Sequence, residues 1–298
     1  RLATTLGTFQ STLTNFKYLR KIWEKNTKEE RLLGVSLTGI MDHHVLSKTE
    51  DSVRWLSEMR QVAIDQNAYL ADQIGIERST AITCVKPSGT VSQLVDAASG
   101  IHARHNPYYV RTVRGDNKDP LTQFLIEQGI PSEPDVMKPD NTTVFSFITR
   151  SPQGATCRND MSAIDQLELW KLYALHWCEH KPSVTISVKE DEWVKVGAWV
   201  YDNFDLCSGI SFLPFTDHTY KQAPYQDISE EEYKGNYQKV SNVNEDGIAE
   251  WSEINLKIPD DIDWSELEVF ETEDSTNGNR ELACSADACE VVDIVAAE

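Results

Sequence analysis

The spacing of hydrophobic positions along the chain alternates between a helical and an extended period. Between residues 8 and 25, apolar residues recur three and four positions apart, which predicts a helix with one apolar face made of Phe9, Leu13, Phe16, Leu19 and Trp23. The same spacing predicts helices over 50–74, from near 90, and over 121–128, 163–179 and 191–201. Short apolar or alternating runs predict strands over 32–38, 80–85, 108–113, 143–149, 183–188 and 209–215. This alternation favours an α/β domain with a largely parallel arrangement of strands.

The pattern changes after residue 217. Acidic residues, Asn, Gly and Ser increase, and the segment ETEDSTNGNR at 271–280 contains no apolar residue. Such a composition is typical of a linker. We therefore predict three regions: an α/β region at 1–216, an extension at 217–270 and a flexible tail at 271–298.

Charge and composition exclude several classes of protein. The net charge of −20 argues against a general nucleic-acid binder, because such proteins need clustered Lys and Arg to neutralise phosphates. No run approaches the roughly 18 apolar residues of a membrane helix. Six cysteines in a long chain without a secretory leader indicate a reducing, cytoplasmic compartment. Because the chain opens at Arg1 in helix-like sequence, we expect an upstream part to be missing.

The segment at 86–92 lies where a predicted strand ends and a predicted helix begins. It consists of Lys86, Pro87, Ser88, Gly89, Thr90, Val91 and Ser92. A glycine lets a ligand approach the backbone, hydroxyls are donors, and the unpaired N–H groups of a first helical turn carry positive partial charge. Together these features suit phosphate. The segment is not a P-loop, and an ordinary Ser/Thr helix cap is the alternative interpretation.

Two cysteines mark the tail. Cys284 and Cys289 lie in the sequence ELACSADACEVVD, with small residues between them, so the pair can close a disulfide ring. The surrounding carboxylates oppose thiolate formation, which suggests that a docking partner activates the pair. The tail has no His and no further Cys, so a zinc site is not expected there. The alternative is a disordered end that happens to hold two cysteines.

The remaining candidates have ordinary structural explanations beside functional ones. The sequence SGIHARH at 99–105 opens a basic and aromatic cluster that continues through Tyr108, Tyr109, Arg111 and Arg114. This cluster could bind an anion or nucleotide, or its cations could pair with the protein's own carboxylates. The histidine pairs at 43–44 and in HWCEH at 176–180 are expected in the core or on the surface, without metal. We also expect four single cysteines to be buried small hydrophobes: Cys84, Cys157, Cys178 and Cys207.

Taken in order, these motifs resemble the class II, adenosylcobalamin-dependent ribonucleotide reductases. The closest likeness is to the monomeric type that reduces ribonucleoside triphosphates, and it covers nearly the whole chain. It is strongest in four segments, ITCVKPSGTVSQLVDAASGIHARHNPYYVRTVR, KPSVTISVKEDEWVKVGAWVYDNFD, GISFLPFTDHTYKQAPYQDI and ELACSADACE.

The resemblance implies a fold and a set of roles. The fold would be the C-terminal half of a ten-stranded α/β barrel, made of two antiparallel halves of five parallel strands and followed by a flexible tail. Adenosylcobalamin would be the cofactor and a ribonucleoside triphosphate the substrate. Cys284 and Cys289 would re-reduce an active-site disulfide and then be reduced by thioredoxin. The substrate phosphates would be bound by Pro87, Ser88, Gly89, Thr90, Val91 and Ser92.

The chain also departs from the family pattern. The Asn-Pro-Cys-Gly-Glu motif that carries the catalytic thiyl cysteine is absent, as are the partner cysteines of the active-site disulfide and the N-terminal effector region. We therefore expect this chain alone to be inactive and to need the N-terminal part of the enzyme as a partner. Three alternatives stay open: a metal-radical ribonucleotide reductase large subunit, an unrelated phosphate- or nucleotide-binding α/β enzyme, and a truncated, non-enzymatic remnant that only folds or binds.

Overall fold

A computed structural model describes residues 1–47, 49–89, 91–215, 221–243 and 249–271. Its helices are α1 (Leu2–Gln10), α2 (Lys21–Glu30), α3 (Thr49–Ile74), α4 (Val91–Leu94), α5 (Pro120–Glu127), α6 (Ala163–His176), α7 (Trp193–Asp202), α8 (Glu230–Gly235) and α9 (Leu267–Phe270). Its strands are β1 (Val35–Ser36), β2 (Thr83–Cys84), β3 (Tyr108–Asp116), β4 (Ser132–Pro134), β5 (Thr142–Arg150), β6 (Thr185–Val188), β7 (Ser211–Pro214), β8 (Tyr225–Asp227), β9 (Tyr237–Val243) and β10 (Ala249–Asn255).

The chain divides into two compact units. The first is formed by Arg1–Arg104 and Gly154–Phe215. The second is formed by His105–Gln153 together with the described residues beyond 215. The first unit is thus built from two separate stretches of sequence, with an insertion between them. The predicted regions 1–216, 217–270 and 271–298 stay predictions.

Two parallel strand pairs lie in the first unit. β1 pairs with β2, with Val35 opposite Thr83, and β6 pairs with β7, with Thr185 opposite Ser211. A large core surrounds α6, whose side chains Trp170 and Tyr173 are fully buried. Each of these two buries a polar atom that finds an acceptor: Trp170 Nε1 donates to the Pro182 carbonyl at 2.9 Å, and the Tyr173 hydroxyl donates to the Leu46 carbonyl at 3.0 Å. The parallel pairing predicted for these segments is confirmed.

The second unit is antiparallel. Its four-stranded sheet has the order β4-β5-β3-β8, and the long pair β3–β5 runs in register from Tyr108 opposite Arg150 to Asp116 opposite Thr142. β9 and β10 pair antiparallel in a separate two-stranded sheet. The prediction of a largely parallel arrangement is therefore wrong for 105–153. Periodicity identified β3 and β5 as strands, but it carries no information about their relative direction.

Regular structure continues beyond residue 217. Three strands, β8, β9 and β10, lie in that region. β8 has only three residues, and β9 and β10 read YQKVSNV and AEWSEIN, so few apolar residues mark their alternation. Backbone hydrogen bonds define these elements, with β8 paired to β3 and β9 paired to β10.

The predicted helix over 8–25 is two helices, α1 and α2, with an irregular stretch at 11–20. Ser11 and Thr12 donate their hydroxyls to the carbonyls of Thr8 and Phe9, at 2.7 Å in each case, where α1 ends. Short hydroxyl side chains of this kind compete with the helical ladder. The apolar residues of the predicted face are consequently not aligned on one helix.

The strands of the described residues form four separate sheets, none of which is closed. The mixed α/β class is confirmed, whereas the half-barrel stays a prediction. No helix within the described residues is long and apolar enough to cross a bilayer.

Candidate functional site

The loop that follows β2 contains the predicted phosphate segment. Its entry is held by hydrogen bonds to side chains: the N–H of Lys86 donates to Ser36 Oγ at 3.0 Å, and the N–H of Ser88 donates to Ser99 Oγ at 2.9 Å. Gly100 has φ +56°, and a Cβ there would lie 3.1 Å from the Lys86 carbonyl oxygen. Glycine at position 100 therefore lets the 99–100 segment pass directly behind the loop.

The two serines of the segment bond to each other. Ser88 Oγ accepts the N–H of Ser92 at 2.8 Å, and the Ser92 hydroxyl donates to the Ser88 carbonyl. Ser92 is buried, so its hydroxyl is occupied inside the loop. The helix-cap interpretation of Ser88 is therefore satisfied by the geometry. It does not exclude a ligand, because the Ser88 hydroxyl proton is not used in the bond from Ser92.

The outer side of the loop is open. Lys86 and Pro87 are exposed, and a Cβ added to Gly89 would meet nothing within 4 Å. Val91 is also exposed, whereas Thr90 lies outside the described residues. The helix that follows, α4, has only four residues, so its dipole adds little. The N–H groups of Lys86, Ser88 and Ser92 are already bonded to serine oxygens, and Pro87 has none. The donors that face a ligand are therefore the Ser88 hydroxyl, the Lys86 ammonium and the N–H of Gly89.

Arg104 of the basic cluster is almost fully buried, and two carboxylates neutralise it. Its Nε and Nη2 donate to Oδ1 and Oδ2 of Asp42, both at 2.9 Å. Its Nη1 donates to Asp96 Oδ1 at 3.1 Å, and Nη2 also donates to the Asp96 carbonyl at 2.7 Å. Asp42 Oδ2 in turn accepts the N–H of Ala98 at 2.7 Å. Arg104 therefore links Asp42 to Asp96, in the segment that follows the phosphate loop.

His102, from the same cluster, is a partly buried structural residue. Its Nε2 lies 3.0 Å from the N–H of Thr185, so Nε2 must accept, and Nδ1 lies 3.1 Å from the Ser99 carbonyl and must donate. Burial lowers the pKa of His102, and the bond to Ser99 only partly opposes that shift. The neutral ring thus joins the 99–102 segment to β6.

The members of the cluster that lie in the second unit contact the protein itself. His105 Nε2 lies 2.7 Å from Asp227 Oδ1, and Arg114 Nε donates to Asp135 Oδ2 at 2.9 Å. The guanidinium of Arg111 stands 4.4 Å from the centroid of the Tyr225 ring. For these three residues and for Arg104, the structure favours internal pairing over an anion site.

Four cysteines are free thiols with structural surroundings. Cys157 and Cys178 are buried, as predicted, whereas Cys84 and Cys207 are half-buried. Burial raises the pKa of Cys178 to about 12, and burial also raises the pKa of Cys84 and of Cys207. These thiols stay protonated near neutral pH and are poor nucleophiles.

The predicted redox pair, Cys284 and Cys289, lies outside the described residues. The two histidines of the 176–180 motif contact the protein itself: His180 Nε2 is 2.8 Å from the Leu33 carbonyl, and His176 Nδ1 is 3.4 Å from Ser57 Oγ. Across 1–47, 49–89, 91–215, 221–243 and 249–271, no three His, Cys, Asp or Glu side chains are grouped to hold a metal.

Sequence reasoning missed Asp42 and Asp96. They lie 62 and 8 residues from Arg104, so no local spacing links them to it. The sequence around Arg104 reads IHARHN, so Arg104 stands among other polar residues and nothing local marks it as a buried cation that needs a carboxylate partner.

No protein-family model matches the chain. Over 232 residues, or 76% of its length, it is 30% identical to the adenosylcobalamin-dependent ribonucleoside-triphosphate reductase of Euglena gracilis, and it covers 32% of that protein. It is 25% identical over 290 residues to the reductase of the same name from Lactobacillus delbrueckii subsp. bulgaricus, covering 87% of this chain and 37% of the relative. The chain thus spans about a third of the length of the curated relatives it matches.

The fold agrees with these sequence matches. A crystal structure of a B12-dependent, class II ribonucleotide reductase superposes with a TM-score of 0.67 over 78% of this chain and 37% of that chain, at 20% identity. In sequence, the chain is therefore similar over most of its length to part of the adenosylcobalamin-dependent ribonucleoside-triphosphate reductases, and in fold it is similar to part of a class II ribonucleotide reductase.

Proposed function

We propose that the chain is the C-terminal third of an adenosylcobalamin-dependent reductase that converts ribonucleoside triphosphates to 2′-deoxyribonucleotides. The observation that carries this proposal is the similarity to the reductases of that name, which reaches 87% of the chain. An unrelated nucleotide-binding α/β protein would not share both sequence and fold with that group. The relatives' names also favour cobalamin over a metal-radical large subunit. We further propose a cytoplasmic location.

In this proposal the loop at 86–92 binds the substrate's phosphates. The open face at Gly89, the exposed Lys86 ammonium and the hydroxyl proton of Ser88 support that role. Backbone N–H groups and a lysine are common partners of phosphate oxygens. Pro87, Val91 and the buried Ser92 would shape the loop, and Thr90 would add a hydroxyl.

The proposed role of the tail is electron delivery. Cys284 and Cys289 would reduce an active-site disulfide by thiol–disulfide exchange, so that their two thiols become a disulfide while two active-site thiols form. Thioredoxin, a dithiol protein, would then return the tail pair to the thiol state. The sequence supports this by placing two cysteines five positions apart after an apolar-free linker.

The described residues show no group that fits cobalamin. The histidines whose ring contacts are described above bond to or pair with the protein, and no cluster of metal ligands is found between 1–47, 49–89, 91–215, 221–243 and 249–271. The support for adenosylcobalamin in this proposal is the name shared by the similar reductases.

A reconstitution experiment tests the proposed function. The chain would be assayed for reduction of each ribonucleoside triphosphate with adenosylcobalamin and a small dithiol, alone and with the complementary N-terminal polypeptide encoded by the same source. We expect deoxyribonucleotide only when both polypeptides and adenosylcobalamin are present. Activity without adenosylcobalamin would favour the metal-radical alternative. Absence of activity in a stable complex of the two polypeptides would contradict the proposal.

A further inference from the structure

Helix α1 buries its polar side and exposes its apolar side. Its buried residues are polar: Thr4 is 1% exposed and Thr8 is 0% exposed. Its exposed residues are large and apolar: Leu2, Leu6 and Phe9 are 88%, 61% and 49% exposed. At about 100° per residue these two groups lie on opposite sides of the helix. A helix on the true surface of a protein has the reverse arrangement.

Specific contacts fix α1 in this orientation. Asn67 Nδ2, on the buried side of α3, donates to Thr8 Oγ1 at 3.0 Å, and Gln66 Nε2 donates to Thr5 Oγ1 at 3.2 Å. Gly7 faces Leu33, whose Cδ1 lies 3.5 Å from the position a Cβ would take. Turning α1 to bury its leucines would break these bonds and leave the buried Asn67 amide short of a partner. The polar contact between α1 and α3 is therefore the native one. The apolar side of α1 needs another surface to pack against.

Helix α2 also lacks a surface that covers its apolar residues. It has ten residues and none is buried, and Ile22 and Trp23 are 47% and 54% exposed. Helices shorter than about 12–15 residues are marginal in water without tertiary packing. Exposed ion pairs such as Lys25–Glu29 add little. α2 therefore also needs a surface to pack on.

We propose that α1 and α2 form a docking face for the rest of the reductase. We call it the N-terminal apolar face and define it as Leu2, Leu6, Phe9, Leu19, Ile22 and Trp23. Its occupant is the part of the enzyme that the relatives have beyond the matched third, since the chain spans 32–37% of their length. Exposed clusters of large apolar side chains mark sites of protein–protein interaction. This inference rests on the proposed function.

Binding of the complementary N-terminal polypeptide provides the test. The chain and that polypeptide would be mixed and studied by light scattering after size exclusion, by titration calorimetry and by hydrogen exchange. We expect a one-to-one complex and at least tenfold slower exchange of the α2 amides within it. The double variant Leu6→Ser/Phe9→Ser should weaken binding at least tenfold while keeping the Tm of the free chain. Val194→Ser, at another exposed apolar residue of the same unit, should leave binding within twofold.

The outcomes separate this inference from the function on which it rests. Wild-type affinity in the double variant, or no complex with the wild-type chain, would overturn the docking face. A homodimer of this chain that the double variant abolishes, with no binding of the complementary polypeptide, would also overturn it. A complex that depends on Leu6 and Phe9 but reduces no ribonucleotide would support the face and contradict the proposed function.

Discussion

Arg104 and Asp42 form a two-bonded ion pair inside the first unit, with both N–O distances at 2.9 Å. The same fork occurs at the protein surface, where Arg78 Nε and Nη2 bond to the two carboxylate oxygens of Asp72 at 3.0 and 2.6 Å. The side chain of Arg104 is 4% exposed and that of Arg78 is 63% exposed. The Arg104–Asp42 and Arg78–Asp72 ion pairs thus have similar hydrogen-bond geometry and differ in burial.

The first prediction uses this comparison. Asp42→Asn should lower the free energy of unfolding by about 3–5 kcal/mol, because it leaves the buried Arg104 charge without its main partner. Asp72→Asn should cause no measurable change, because water screens and solvates the exposed Arg78. Urea unfolding followed by tryptophan fluorescence would measure both variants. Similar losses in the two variants would show that burial does not decide the contribution of the fork.

The second prediction concerns the phosphate loop. Ser88→Ala removes a hydroxyl that accepts the Ser92 N–H and, in the proposed function, donates to a phosphate oxygen. We expect the KM for the ribonucleoside triphosphate to rise roughly tenfold or more, since a hydrogen bond to a charged group contributes about 1.5–3 kcal/mol. Thr90→Ala should act in the same direction. Steady-state kinetics of the reconstituted enzyme would test both, and an unchanged KM in both variants would refute the phosphate role.

The third prediction is a pH dependence of stability that arises from His102. Burial lowers its pKa from 6.5, so as the pH falls the unfolded chain takes up a proton on this residue before the folded chain does. The unfolded state then binds more protons, and stability is lost below about pH 6.5 at up to about 1.4 kcal/mol per pH unit. His102→Gln should flatten this slope. Urea unfolding at pH 7.5, 6.5 and 5.5 would measure it, and equal slopes would exclude His102 as the cause.

Local sequence predicted the elements that local chemistry determines. The helix predicted over 50–74 is α3, Thr49–Ile74, and it ends at Gly75, whose φ of +71° suits glycine. The helix predicted from Ala163 is α6, which opens with a reciprocal capping box between Ser162 and Asp165. In both cases the signal lies within a few residues of the element it defines.

What could not be predicted depends on partners distant in sequence. The apolar spacing of Leu6, Phe9 and Leu13 suits a helix face, but nothing local shows that Asn67 attracts the opposite side of α1. The basic cluster was equally compatible with a ligand or with internal pairing until Asp42 and Asp96 were placed beside Arg104. Long-range polar contacts of this kind leave no periodic signal in the sequence.

The fourth prediction separates the tail thiols from the buried ones. Cys284→Ser or Cys289→Ser should abolish turnover of the reconstituted enzyme with thioredoxin but largely preserve turnover with a small dithiol, because a small reductant reaches the active-site disulfide without a carrier. Cys207→Ser is the matched control and should leave both rates unchanged, since burial raises the pKa of that thiol and no role is proposed for it. The turnover rate of each variant would be measured with both reductants. Equal loss of turnover with both reductants in a tail variant would contradict the electron-carrier role of the pair.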